Sequence, residues 1–207
     1  MPLEHNLETR TTNILWYHRW GVEAMQNALI VGGTGMLSGL AKRFLDDYYQ
    51  VFVIGRDPAK FVAMEQQAGD RVEYLTCMAL DYHELARLGD WVAHLQLMHG
   101  PLDKVVAWVH GDAKPVLDVV AREVEQYRQS SWDLYHVLPI AASIEDPSIS
   151  IDMAFGRYRK IVLGYVEEDK KTRWLTHREI VDGVYDALNQ SDDSIVGCVH
   201  PYSHRPQ

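Results

Sequence analysis

The most specific chemistry in this chain is carried by seven consecutive residues, VGGTGML (31–37), set between an apolar run and an amphipathic stretch. Glycines let the backbone turn sharply and approach an anion. The helix that follows offers unpaired N–H groups and a positive dipole end. Together they suit a pyrophosphate, with Gly32, Gly33, Thr34, Gly35, Met36 and Leu37 as the expected contacts. A plain strand–helix corner would use similar glycines. The position after the first buried strand of an alternating chain favours the phosphate.

The second apolar run, QVFVIG (50–55), decides which dinucleotide is expected. An acidic residue at its end, about twenty residues after the first glycine, would take the ribose hydroxyls of NAD. Here Gly55 is followed by Arg56. A carboxylate repels a 2′-phosphate, whereas a guanidinium holds it through paired hydrogen bonds. The expected cofactor is therefore NADP rather than NAD, with Asp57 as a partial counter-charge.

His110 closes the run KVVAWVH (104–110), on the edge where a nicotinamide would lie. Imidazole suits proton transfer near neutrality; a histidine satisfied by backbone at a strand end is the alternative. Tyr165, next to Gly164, is a second catalytic candidate, with a half-buried structural tyrosine as its alternative. Ser143 lies in the same part of the chain. His200, Tyr202 and His204 either cover a substrate or form an exposed tail. No His, Cys and carboxylate set has metal-ligand spacing, so no metal is expected.

These residues need a scaffold, and the apolar periodicity supplies one. Buried strands are predicted over 27–33, 50–55, 71–77, 104–110, 132–138, 159–166 and 194–199. Helices are predicted over 36–49, after Asp57-Pro58, over 82–98 and over 113–129. A last helix follows Thr176 and Glu179, which have capping-box spacing. Strands alternating with helices imply an α/β fold: a doubly wound, mostly parallel sheet of Rossmann type in a single domain. That domain is expected over 25–207. Residues 1–24 are expected to be an extension, either dispensable or forming one helix over about 12–24. Met25 stands just before the first strand.

At 207 residues the chain is long enough for a real core, and 47% hydrophobic with 24% charged residues is the balance of a soluble globular protein. A net charge of −9 argues against a nucleic-acid surface, which would need a basic stripe. No apolar run approaches a membrane span, and the polar head MPLEHNLETRTTN is unlike a secretory leader. Two cysteines, Cys77 and Cys198, suit a reducing compartment. A cytoplasmic protein with a small-molecule substrate, no nucleic acid and no membrane is expected.

The loop GGTGML resembles the G-x-x-G-x-x-G loop of the short-chain dehydrogenase/reductase family, with Ser38 in place of the third glycine. The likeness spans about 26–200. Leu80-Asp81 stands where that family sets an aspartate against the adenine. VAWVHG (106–111) replaces its Asn-Asn-Ala-Gly, matching only at Gly111. LGYV (163–166) is similar to the stretch after the sixth strand, and RWLTHREIVDGV (173–184) to the late helix. The resemblance implies a cofactor-binding role for Asp81 and Gly111, and oxidoreductase chemistry. It does not extend to the family's catalytic Tyr and Lys, four residues apart: none of the eleven tyrosines has Lys at that distance. The long helix that carries the pair, and builds the family's usual dimer interface, has no room between Ser143 and Gly164. Two functions are therefore expected in competition. One is an NADP-dependent oxidoreductase with a non-standard proton donor. The other is a non-catalytic NADP-binding sensor or partner module.

Overall fold

Seven parallel strands form one sheet in the computed structural model, which describes residues 25–145, 149–169 and 171–206. The strands are β1 (Asn27–Val31), β2 (Gln50–Gly55), β3 (Leu75–Ala79), β4 (Lys104–Trp108), β5 (Trp132–Pro139), β6 (Gly156–Leu163) and β9 (Ser194–Val196). Their order is β3-β2-β1-β4-β5-β6-β9. The chain leaves β1 in one direction toward β3, then restarts at β4 in the other. A crevice therefore opens between the carboxyl ends of β1 and β4. Two further strands, β7 (Tyr165–Glu168) and β8 (Lys171–Trp174), pair as a separate antiparallel ribbon.

Every residue of β1 is buried, as a strand covered by helices on both faces requires. One face packs on α1 (Ser38–Asp46), α2 (Ala59–Ala68) and α6 (His177–Ala187), through Leu40, Phe44, Phe61, Met64, Ile180 and Val184. The other packs on α3 (Leu85–His99) and α4 (Lys114–Tyr127), through Leu88, Val92, Leu95, Val116, Leu117 and Val120. The doubly wound α/β architecture expected from the alternation is present. The expected helix over 12–24 lies outside the described residues.

Several elements differ from the predicted ones. The strand predicted over 71–77 forms over Leu75–Ala79, because Gly69–Tyr74 is a 3-10 helix. Gly69, at φ +55°, ends α2, and Arg71 stacks over the rings of Tyr48 and Tyr74. The strand predicted over 159–166 is cut at Gly164. A Cβ there would collide with the carbonyl oxygen of Cys198. His200 and His204 are exposed, as an exposed tail requires, and the chain just before them is tied to the ribbon: Tyr165 and Cys198 exchange backbone hydrogen bonds of 2.9 and 2.7 Å.

Between β5 and β6 the described residues form only α5 (Ile140–Glu145) and an extended stretch, 149–155. Ile149, Ile151 and Met153 from that stretch cover the sheet face on which α3 and α4 also lie. Glu125 pins it by accepting the backbone N–H groups of Ala154, Phe155 and Gly156. Burial raises the Glu125 carboxyl, but those donors outweigh it and hold the group below the ordinary carboxylate range.

His136, on the middle of β5, is only 4% exposed, and its Nδ1 lies 2.8 Å from the Tyr158 hydroxyl. Burial, with the Lys160 charge adding to it, pushes the imidazole from the usual 6.5 down to about 4. Because the folded value is depressed, unfolding takes up a proton below about pH 6.5. The stabilisation is full above that pH and is lost as pH falls toward 4, by roughly 3 kcal/mol. Urea unfolding between about pH 7 and 4.5 should show this slope in the wild type. It should be markedly shallower in His136→Gln; an equal slope in both would exclude His136 as its source.

Candidate functional site

β1 ends at Val31, and the turn that follows is shaped by close backbone packing. Gly32 has φ +76°, a conformation that favours glycine. A Cβ on Gly32 would collide with the carbonyl oxygen of Trp108, at the end of β4. The turn therefore lies across the crevice where the strand order reverses. A Cβ on Gly33 would come within 2.6 Å of Ile30 and 3.0 Å of Val53, so this residue is pressed onto the sheet. Gly35 faces the other way: a Cβ there would meet nothing within 4 Å. Leu37 precedes α1 and is fully buried, while Met36 is half-buried against the core. One side of the turn is locked and the other is open at a helix N-terminus. That shape fits a pyrophosphate.

β2 ends beside the same turn. Gly55 abuts Thr34 so closely that a Cβ would collide with the threonine side chain. Arg56 follows, exposed, and forms no ion pair with any described residue. Asp57 Oδ1 accepts the Ala59 N–H at 3.0 Å, in the turn that leads into α2.

The segment after β3 reaches over the crevice. Leu80 donates its N–H to the Gly55 carbonyl at 3.0 Å. Asp81, half-buried, accepts the His83 N–H at 3.0 Å and so shapes this turn. Tyr82 is 4% exposed and lies alongside Gly32. Its hydroxyl accepts the backbone N–H of His110 at 3.3 Å. His110 and Gly111 are exposed just past β4, with Gly111 at φ +79°. Gly32, Trp108, Tyr82 and His110 therefore meet at one place on the carboxyl edge.

His110 has a partner that sequence reasoning missed. The Trp108 indole donates its Nε1–H to His110 Nε2 at 3.0 Å. Spacing of two residues along an extended segment places side chains on one side, which is the signal for the pair.

Tyr165 lies apart from this group. It is fully buried, and its hydroxyl donates to the Pro201 carbonyl at 2.8 Å. Burial, then Glu167 and Cys198, raises the hydroxyl above its ordinary value. The bond holds the C-terminal segment on the β7–β8 ribbon. Ser143 lies on α5, half-buried. His204 Nδ1 is 4.0 Å from Glu167 of the ribbon, which adds a contact between tail and hairpin.

The fold is one already seen in solved structures. A short-chain dehydrogenase/reductase from Sinorhizobium meliloti superposes with a TM-score of 0.63 at 12% identity, covering 85% of this chain and 96% of that one. The chain has the short-chain dehydrogenase/reductase fold. A β-ketoacyl-ACP reductase from Bacteroides thetaiotaomicron gives a TM-score of 0.59 at 12% identity, over 84% and 94% of the two chains. The protein ElxO, solved with NADPH bound, gives 0.55 at 13% identity, over 84% and 96%. No family model and no curated protein matches the sequence. The glycine turn, the end of β2 and the loop after β3 lie together at the carboxyl edge of the sheet. Among the described residues no helix is long and apolar enough to cross a membrane, and no group of three His, Cys, Asp or Glu could hold a metal.

Proposed function

We propose that this chain binds NADP and is an oxidoreductase acting on a small carbonyl compound, with His110 in place of the family's tyrosine. The observation that carries the reading is the turn at Gly32, locked against Trp108 on one side and open at Gly35 on the other. The turn and the α1 N-terminus hold the pyrophosphate, and Arg56 takes the 2′-phosphate. Asp81 and Gly111 would add further contacts to the cofactor. When bound, the reduced nicotinamide supplies a hydride. The chain's own part is to orient that ring and to place one polar group, His110, on the substrate oxygen. The protein works in the cytoplasm on a soluble substrate and not on nucleic acid. It forms no dimer through the family's usual helix, for which β5–β6 has no room.

A second reading is a non-catalytic NADP-binding module. Two observations favour it: no tyrosine has Lys four residues on, and the Tyr165 hydroxyl is spent on Pro201. Titration with both cofactors, alongside NADPH turnover on aldehydes and ketones, separates the two. NADPH should bind the wild type at least about tenfold tighter than NADH, roughly 1.4 kcal/mol, well within one charge-assisted phosphate contact. Arg56→Ala should remove most of that preference. Equal wild-type affinities would refute the assignment of NADP. Tight binding without turnover would favour the module.

A further inference from the structure

The bond from Trp108 to His110 fixes more than the position of the ring. An indole N–H is a donor only, so Nε2 of His110 must be the acceptor. The imidazole is then neutral and carries its hydrogen on Nδ1. A doubly protonated ring would aim one N–H at another. The geometry is held on all sides. The rings meet edge to face, with centroids 5.5 Å and planes 89° apart. Trp108 is 7% exposed and sits in register with Val137 of β5. The His110 backbone is tied through its N–H to the Tyr82 hydroxyl and through its carbonyl to His83 Nε2, at 3.3 and 3.0 Å. Among the described residues none bonds to Nδ1, and the residue is exposed on the crevice edge.

We propose that Trp108 is a positioning residue that locks His110 in the Nδ1–H form, and that His110 meets its ligand as a neutral hydrogen-bond donor to a carbonyl oxygen rather than as a proton source. The carbonyl part rests on the oxidoreductase reading above; the locked tautomer does not. In a reduction, the bound dinucleotide would supply a hydride, an electron pair with its proton, to the carbonyl carbon. The C=O π pair moves to oxygen, where Nδ1–H steadies the developing alkoxide and keeps its own proton. The proton that completes the hydroxyl comes from solvent water at this open edge, leaving hydroxide to the buffer. This is electrostatic help at an oxyanion, which needs no titration of the histidine.

Nitrogen NMR of the full chain, labelled with ¹⁵N-histidine, reads the tautomer directly. At about pH 8 the His110 ring, assigned by the loss of its signals in His110→Gln, should show Nε2 at the unprotonated shift and Nδ1 at the protonated one. Trp108→Phe should shift both nitrogens toward a mixture of tautomers. Nε2–H in the wild type, or no change in Trp108→Phe, would overturn the proposal. If Trp108→Phe does not fold, the wild-type spectrum alone decides. The Nδ1–H form in a protein that turns nothing over would contradict the oxidoreductase reading while leaving the role of Trp108 in place.

Discussion

Replacing His110 with Phe should lower kcat on any carbonyl substrate by roughly 10²–10³-fold, the usual loss when one donor to a developing oxyanion is removed. NADPH affinity should stay within about twofold, because the phosphate contacts lie on the turn after β1 and at the end of β2, not on this side chain. His110 is exposed and contributes only its ring to the Trp108 bond, so the fold should survive the change. Steady-state kinetics with a paired NADPH titration checks both halves. Turnover that persists undiminished in the variant would exclude His110 from the reaction. A parallel loss of NADPH affinity would instead mark it as a cofactor contact.

The other large effect lies at the opposite end of the sheet. Asp133, at the start of β5, faces Lys104 on β4 and Arg157 on β6 in direct cross-strand register. Its Oδ1 accepts from Arg157 Nε at 2.8 Å and from Arg159 Nη1 at 2.7 Å, and Oδ2 accepts from Arg157 Nη2 at 3.1 Å. Arg159 is 8% exposed, and it also donates to the Ser191 carbonyl and the Tyr135 hydroxyl. The Tyr135 hydroxyl in turn donates to the Leu188 carbonyl, at the end of α6. One carboxylate thus ties three strands and the α6–β9 connection. Asp133→Ala leaves a buried guanidinium without its charge partner and should lower the unfolding free energy by roughly 3–5 kcal/mol. Urea unfolding measures it, and a loss below about 1 kcal/mol would mean that the network acts as an ordinary surface pair.

The contrast between these two sites shows what a sequence carries. The glycine turn was legible because its spacing, its place after a buried run and the following amphipathic stretch are all local. The capping box was legible for the same reason: Glu179 N–H donates to Thr176 Oγ1 at 3.3 Å, and Glu179 Oε2 accepts the Thr176 N–H at 2.8 Å. Even there a partner was hidden. Arg173 grips the Glu179 carboxylate with two hydrogen bonds and, with the Thr176 donors, holds it down to about 2. The Asp133 network was not legible, since its partners lie 24 and 26 residues away and become neighbours only through strand register. The cut at Gly164 was hidden too, because it depends on the Cys198 carbonyl arriving from the far end of the chain. Trp108 and His110 fall between these cases. Their spacing is local, but the bond needs Trp108 to be buried so that its N–H has few other acceptors.

A crystal structure of the full chain with NADPH tests the central claim most directly. The pyrophosphate should lie against Gly32–Leu37 and the 2′-phosphate on Arg56, with His110 Nδ1 the protein polar atom nearest the nicotinamide C4. A cofactor bound elsewhere, or a nicotinamide turned away from His110, would contradict it.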